Sequence, residues 1–297
     1  MKYAICISGD LRTGLKAWKH NLFFFQEYGS SYYFFIDVWE KGSSPKRKDS
    51  LVELILNLFF KLAVRYEQPK TVEPKEILET FKEFENVYVN IHSEDSWEAV
   101  VGRINRLPAG RLGRKILGSM RMFFLMEQCS ESKKLIEDRL GTNFDAVLRV
   151  RPDSILTNNP FSEFKSLDCD LVFYQDPNQS RFKWGPVNDQ VFVGNSDVMS
   201  KVTNAFSALI EYSKNNDWSL PKGSIHEVLV AESALSFHVR GLREKYSVKS
   251  SSISTELLRP RVCLKTINNI EFEQRKSESR KLLKHFIRIT FARITGI

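Results

Sequence analysis

Three features of the chain predict an α/β sandwich, Rossmann-like and built as a single domain, with a mostly parallel central sheet and flanking helices. Strand-like apolar runs alternate with helix-like stretches from the first residues onward. The runs Tyr32–Trp39 and Ala146–Val150 are apolar almost throughout, as strands covered on both faces are. Polar clusters interrupt the chain at the ends of such runs, where open α/β sheets place their ligands.

The first strand is predicted over Tyr3–Ile7, followed by the turn Ser8-Gly9-Asp10-Leu11-Arg12-Thr13-Gly14 and a helix to about Tyr28. Tyr32–Trp39 reads as the second strand and Asn86–His92 as a third with cleaner alternation. Between these two lie a Lys- and Ser-rich loop near Gly42–Asp49 and two helical segments. Ser93–Arg114 shows little periodicity and contains Pro108-Ala109-Gly110, so it is expected to be a loop. Leu125, Cys129, Ile136 and Leu140 keep a helical spacing that predicts a long helix over about 115–140, stopped by Gly141. This helix delivers the chain into a strand at Phe144–Val150. Two further strands are expected at Asp170–Tyr174 and Gln190–Gly194, with helices over about 197–212 and 225–240.

At 297 residues, 42% of them hydrophobic and 12% aromatic, the chain holds enough apolar surface for a substantial core without covalent staples. Cys6, Cys129, Cys169 and Cys263 are far apart and form no Cys-x-x-Cys pair, which argues against a zinc site or a disulfide framework. They read as small buried hydrophobes in a reducing compartment. The N-terminal apolar run is too short for a signal peptide and no apolar stretch is long enough to span a bilayer, so a cytoplasmic protein is expected. The net charge of +8 favours anionic partners. Nucleic acid is not expected among them, because no reader motif accompanies the basic residues.

The most informative stretch is Phe144-Asp145-Ala146-Val147-Leu148-Arg149-Val150-Arg151-Pro152-Asp153. Arg149 and Arg151 lie two apart and therefore leave the strand on the same side; Pro152 ends the pairing and Asp153 follows. Two arginines beside one carboxylate suit an anionic ligand, with or without a divalent cation such as Mn or Mg on Asp153; the same residues would also make a solvated ion pair. Gly9 permits close approach of backbone to a ligand, or simply turns the chain with Asp10 as a cap. Asn188 and Asp189 precede a strand and offer an amide for sugar hydroxyls and a carboxylate for a proton, or else cap a turn. Glu232 sits among Val228, Leu229, Ala231 and Leu235 on the helix over about 225–240, either as its polar edge or as a buried acid. His226 and His238 read as structural. There is no Gly-x-x-x-x-Gly-Lys loop, no Gly-x-Gly-x-x-Gly after the first strand and no Gly-x-Ser-x-Gly elbow, which removes P-loop kinases, dinucleotide oxidoreductases and common serine hydrolases.

At the C-terminus, Leu283, Phe286, Ile287, Phe291 and Ile294 recur at helical spacing, with Lys281, Lys284 and Arg288 largely elsewhere. The pattern over 275–297 suits a basic helix lying on an anionic membrane surface, or a terminal helix packed on the domain.

Taken in order, Ala4-Ile5-Cys6-Ile7-Ser8-Gly9-Asp10-Leu11-Arg12, Phe35-Ile36-Asp37-Val38-Trp39, the Arg149–Asp153 segment, Asn188-Asp189-Gln190 and Ala231-Glu232-Ser233 resemble the WavE type of lipopolysaccharide or capsular polysaccharide biosynthesis protein. The resemblance spans roughly residues 1–239, leaves 42–114 unmatched and is most specific at Arg-x-Arg-Pro-Asp. It implies a GT-A-like glycosyltransferase fold, with a nucleotide-sugar-binding domain over 1–250 and a basic amphipathic extension over 251–297. It further implies a nucleotide-sugar donor and a glycan or lipid-linked glycan acceptor. Ser8, Gly9, Arg12, Arg149, Arg151, Asp153 and Asn188 would then bind the donor, and Asp189, or failing it Glu232, would be the catalytic base. Arg151 stands where that fold's Asp-x-Asp has its first acid, so the leaving diphosphate would be neutralised either by a divalent cation on Asp153 or by a cationic side chain itself. A non-catalytic carbohydrate- or nucleotide-binding module, or a sugar nucleotidyltransferase, are the competing expectations.

Overall fold

The computed structural model describes residues 1–11, 14–26, 29–40, 71–102, 104, 111–174, 189–214, 235, 238–239, 242, 245–251 and 256–257. All of them belong to one compact unit, Met1–Ser43 with Pro69–Arg259. Arg12, Asn188 and Glu232, most of the expected helix over 225–240, and the basic segment 275–297 lie outside the described residues.

The α/β arrangement expected from the sequence, a mostly parallel central sheet with flanking helices, is the one the described residues adopt. Its elements are β1 (Lys2–Gly9), α1 (Gly14–Asn21), β2 (Ser31–Trp39), α2 (Pro74–Thr80), β3 (Asn86–His92), α3 (Glu94–Val101), α4 (Arg111–Leu140), β4 (Ala146–Val150), β5 (Ser154–Ile155), α5 (Pro160–Ser166), β6 (Leu171–Tyr174), β7 (Val191–Gly194), α6 (Ser196–Thr203), α7 (Ala205–Lys214), β8 (Val248–Ser251) and β9 (Glu256–Leu257). Seven strands form one sheet in the order β3-β2-β1-β4-β7-β6-β8. β1, β2, β3 and β4 are mutually parallel, β7 alone runs against its neighbours β4 and β6, and β8 is parallel to β6. β5 and β9 make a separate antiparallel pair.

Alternation along each strand sends side chains to two different cores. On one face Ala4, Cys6, Phe35, Val147 and Phe192 pack against α4, α6 and α7 through Met120, Phe123, Cys129, Val202 and Leu209. On the other, Ile5, Ile7, Phe34, Val38, Leu148 and Val150 meet Trp18, Phe25, Ile77, Phe81 and Phe161 from α1, α2, α5 and the turn after α1. β1 and β4 are buried on both faces, which is why their sequences read as nearly continuous apolar runs, broken in β4 by Arg149.

Several boundaries differ from the sequence expectation. Helix α1 stops at Asn21 and continues only as a 3-10 turn over Leu22–Phe25, rather than running to about Tyr28. Ser93–Arg114 is not simply a loop. Ser93 accepts a hydrogen bond from the Ser96 amide and starts α3, with Glu94 and Asp95 at its positive end, while α4 begins at Arg111. Two turns of helix burying only Trp97 and Val100 are too short to show a period. The single helix expected over 197–212 is two, divided at Asn204. Helix α5, unforeseen, starts with Asn159 capping the Phe161 amide and Pro160 in the first turn. Helix α4 ends as expected, with Gly141 at φ 63°.

A buried ion pair within α4 ties that helix to α6 and to the approach of β4. Lys133 donates to Glu137 at 2.8 Å and to the hydroxyls of Ser196 and Ser200 on α6, and Glu137 accepts from the Phe144 amide at 2.9 Å. Lys133 is 1% exposed and Glu137 7%, so each charge depends on the other. Replacing Lys133 by Met is expected to cost about 3–5 kcal/mol of folding free energy, because it strands the Glu137 carboxylate. Urea unfolding of wild type and K133M measures the difference.

Candidate functional site

The carboxyl ends of β3, β2, β1 and β4 carry a continuous row of polar side chains. Register places Asp37 beside Asn90 on one flank and Ser8 on the other, and Arg149 beside Cys6 one step back along β1. All lie on the α4 face by strand alternation. At the centre of the row β1 ends at Gly9, whose φ of 140° favours glycine. A Cβ there would stand 3.2 Å from the Pro152 ring, and one on Gly14 would come within 2.9 Å of it. The two glycines therefore let the turn after β1 close directly over Pro152, bringing it against the segment after β4. Asn21, the last residue of α1, fastens that segment from below: its amide donates to the Ser154 carbonyl at 2.8 Å and its oxygen accepts from the Leu156 amide at 2.9 Å.

Four of the charges expected at the site are brought together. Arg151 donates from Nε and Nη2 to the two oxygens of Asp153 at 3.0 and 3.1 Å, and from Nη1 to Asp189 at 3.3 Å. Asp153 and Asp189 are 1% and 3% exposed, whereas the Arg151 side chain keeps 21% of its surface in solvent. Burial by itself would lower the Arg151 pKa; Asp189 and then Asp153 more than reverse this and hold it above the ordinary range. Three of its N–H groups are used in these bonds, and a guanidinium has others to offer a ligand. Its backbone is fixed as well, the amide donating to the Gln190 carbonyl at 2.9 Å and the carbonyl accepting from Ser154 at 3.1 Å.

Arg149 lies deeper. It is fully enclosed and donates to the Ser8 hydroxyl and carbonyl at 3.4 and 3.3 Å and to the Gln190 carbonyl at 3.4 Å, with its guanidinium 5.6 Å from the Phe192 ring centre. One side chain thus ties the end of β1 to the approach of β7. Burial pushes its pKa down to about 10, Asp189 pulling upward and Arg151 pressing further down.

Asp37, Asn90 and His92 form a part of the row that the sequence reading left without a role. Asp37 is fully buried and accepts from His92 Nε2 at 2.8 Å, in the tautomer that protonates that nitrogen, and from the Asn90 amide at 3.2 Å. Asn90 also donates to Ser132 of α4 at 3.0 Å. An acid inside Tyr-Tyr-Phe-Phe-Ile-Asp-Val-Trp was the available signal, since an unpaired charge is not tolerated in such a strand.

A divalent cation on Asp153 is the remaining expectation. Asp153 places both oxygens on Arg151, and Arg151 also reaches Asp189, so the guanidinium stands between the two carboxylates. No group of three His, Cys, Asp or Glu among the described residues is disposed to hold a metal ion. The described residues do not fit a divalent cation here.

The same burial acting on a lysine would lower its pKa below the ordinary value of about 10.4. In Arg149→Lys the folded state then loses its proton before the unfolded chain does. Stability of this variant is expected to rise with pH on the approach to about 10.4, where the unfolded chain still holds the proton, while wild type shows no such rise below about pH 10. Urea unfolding across that range checks the slope.

No family model matches the chain, and no curated protein matches it. Among solved structures it is similar to the crystal structure of mouse xyloside xylosyltransferase 1 in its apo form, with 11% identity, a TM-score of 0.40, and coverage of 84% of this chain and 85% of that one. With a likeness this loose, the fold assignment stands on the strand order and directions.

Proposed function

We propose that the chain is a glycosyltransferase that moves a sugar from a nucleotide-sugar donor to a growing surface glycan. The observation that supports this most is the Arg151 guanidinium held between Asp153 and Asp189 at the carboxyl end of β4, against the glycine turn that ends β1. Ligands of open α/β sheets lie beyond the carboxyl ends of the strands, and a half-sheltered arginine with spare donors there suits a diphosphate. The motif resemblance assigns the same stretch to donor binding.

In this reading Gly9 and Arg12 lie along the nucleotide and the free N–H groups of Arg151 meet the diphosphate. Asn188 orients sugar hydroxyls, and Ser8 and Arg149 hold the turn in place. The acceptor hydroxyl attacks the anomeric carbon, the bond from that carbon to the phosphate oxygen breaks, and the nucleoside diphosphate leaves with the electron pair. The hydroxyl proton passes to Asp189, or to Glu232 if Asp189 is not the base. Protonating Asp189 also loosens its hold on Arg151 as the leaving group gathers charge, so the guanidinium becomes available when it is needed. The acceptor is a glycan or lipid-linked glycan.

Transfer is tested with a panel of nucleotide sugars and mixed glycan acceptors, following release of nucleoside diphosphate. Asp189→Asn is expected to lower kcat by about 10²–10⁴-fold with little change in KM, and Asp153→Ala to abolish transfer. Binding of a nucleotide sugar without any release by wild type would instead identify a binding module.

No described helix is long and apolar enough to cross a membrane. The basic, apolar-striped segment 275–297 supports a peripheral site on an anionic leaflet, where lipid-linked acceptors lie. Each basic residue near such a surface contributes about 1 kcal/mol. A chain cut before Arg275 should therefore sediment less with phosphatidylserine vesicles than the full chain at low salt. Equal sedimentation removes the membrane contact from the reading.

A further inference from the structure

We infer that Arg151 takes the place of the divalent cation in this cleft, so that the diphosphate group of the donor is bound without metal. The inference rests on the donor reading above for the identity of the ligand, and on geometry for the rest. A GT-A-like site that uses a metal needs open carboxylate oxygens facing the diphosphate. Here the oxygens of Asp153 receive Nε and Nη2 of Arg151 side by side, at 3.0 and 3.1 Å, the bidentate fit that a guanidinium makes and an ammonium does not. Asp189 receives Nη1 of the same group at 3.3 Å.

A cation arriving at Asp153 or Asp189 would have to displace a positive charge that is already paired in a nearly dry setting, the two acids being 1% and 3% exposed. It would also meet repulsion from Arg149, fully buried close by. Arg151 is held by its three side-chain bonds to the two acids, on a backbone bonded to Gln190 and Ser154 on either side. Its side chain keeps 21% of its surface in solvent, and the three bonds to the acids use three of its five N–H groups, which leaves two for an incoming phosphate oxygen. The guanidinium thus does from the protein side what a bridging ion does elsewhere: it holds the acids on one flank and presents positive charge on the other.

The full-length chain is tested as wild type and R151A. Mn²⁺ alone is followed by electron paramagnetic resonance. A panel of UDP, GDP, ADP and CDP is titrated calorimetrically in EDTA and in Mn²⁺. Wild type is expected to leave Mn²⁺ free in solution and to bind its preferred diphosphate equally in both buffers. R151A uncovers two neighbouring carboxylates and should bind Mn²⁺ on the order of tenfold more tightly than wild type. It should lose diphosphate affinity in EDTA and recover it in Mn²⁺. Mn²⁺ binding by wild type as tight as by R151A, or loss of wild-type diphosphate binding on chelation, overturns the inference while leaving glycosyl transfer intact. If no diphosphate binds wild type in either buffer, the donor reading fails, and the Mn²⁺ comparison still decides whether Arg151 stands in the cation's place. Should R151A not fold, the wild-type titrations decide alone.

Discussion

Charge buried at the end of a sheet has to be paired, and much of this structure follows from how the chain pairs it after β4. Arg149 and Arg151 leave the strand on one face, and two carboxylates, Asp153 from the next turn and Asp189 from the approach to β7, meet the second of them. An isolated ion in that setting would cost several kcal/mol, so the turn after β4 and the start of β7 are held in one arrangement by the need to keep the charges together. Pro152 fits the same arrangement sterically, since only glycine at positions 9 and 14 leaves room for it. Asn21 adds a hydrogen-bonded anchor from α1.

Helix α4 repeats the principle on a larger scale. It covers β1 and β2 with an apolar stripe and also carries Lys133 and Glu137 to buried or half-buried polar partners and Ser132 to the exposed Asn90. The apolar contacts supply most of the stabilisation and the polar ones fix the register in which the helix lies, because a shift of one residue would take Lys133 and Glu137 away from Ser196, Ser200 and the Phe144 amide. Through Ser132 and Asn90 the helix is also tied to Asp37, so the polar row at the strand ends has support beneath it. A site whose groups are locked by second contacts needs little reorganisation when a ligand arrives.

The chemistry proposed for the site depends on the guanidinium of Arg151 being shared. While Asp189 is ionised it competes with a ligand for that charge; once it accepts a proton it competes less. Proton transfer and leaving-group stabilisation are coupled through one hydrogen bond in this scheme, with Asp153 keeping the arginine in place throughout. Arg149, enclosed under Ser8 and Gln190, serves as the brace between the two segments that carry the site.

The apolar runs of β1, β2 and β4 determined their elements by themselves, because strands buried on both faces need little from context to be recognised. The same holds for Gly141 as the stop of α4 and for the turn after β1. Arg149, Arg151 and Asp153 could be marked as a candidate site from their spacing alone. Tertiary structure decided the rest. Only folding brought Asp189 to Arg151, 38 residues apart in sequence, and enclosed Arg149 while leaving Arg151 partly open. It also gave Asp37 its partners on β3 and reversed β7, whose short run Val-Phe-Val-Gly reads the same in either direction. Short helices such as α3 and α5 were written in caps rather than in periodicity, and a cap becomes a helix start only when the core accepts the one or two apolar residues that follow it.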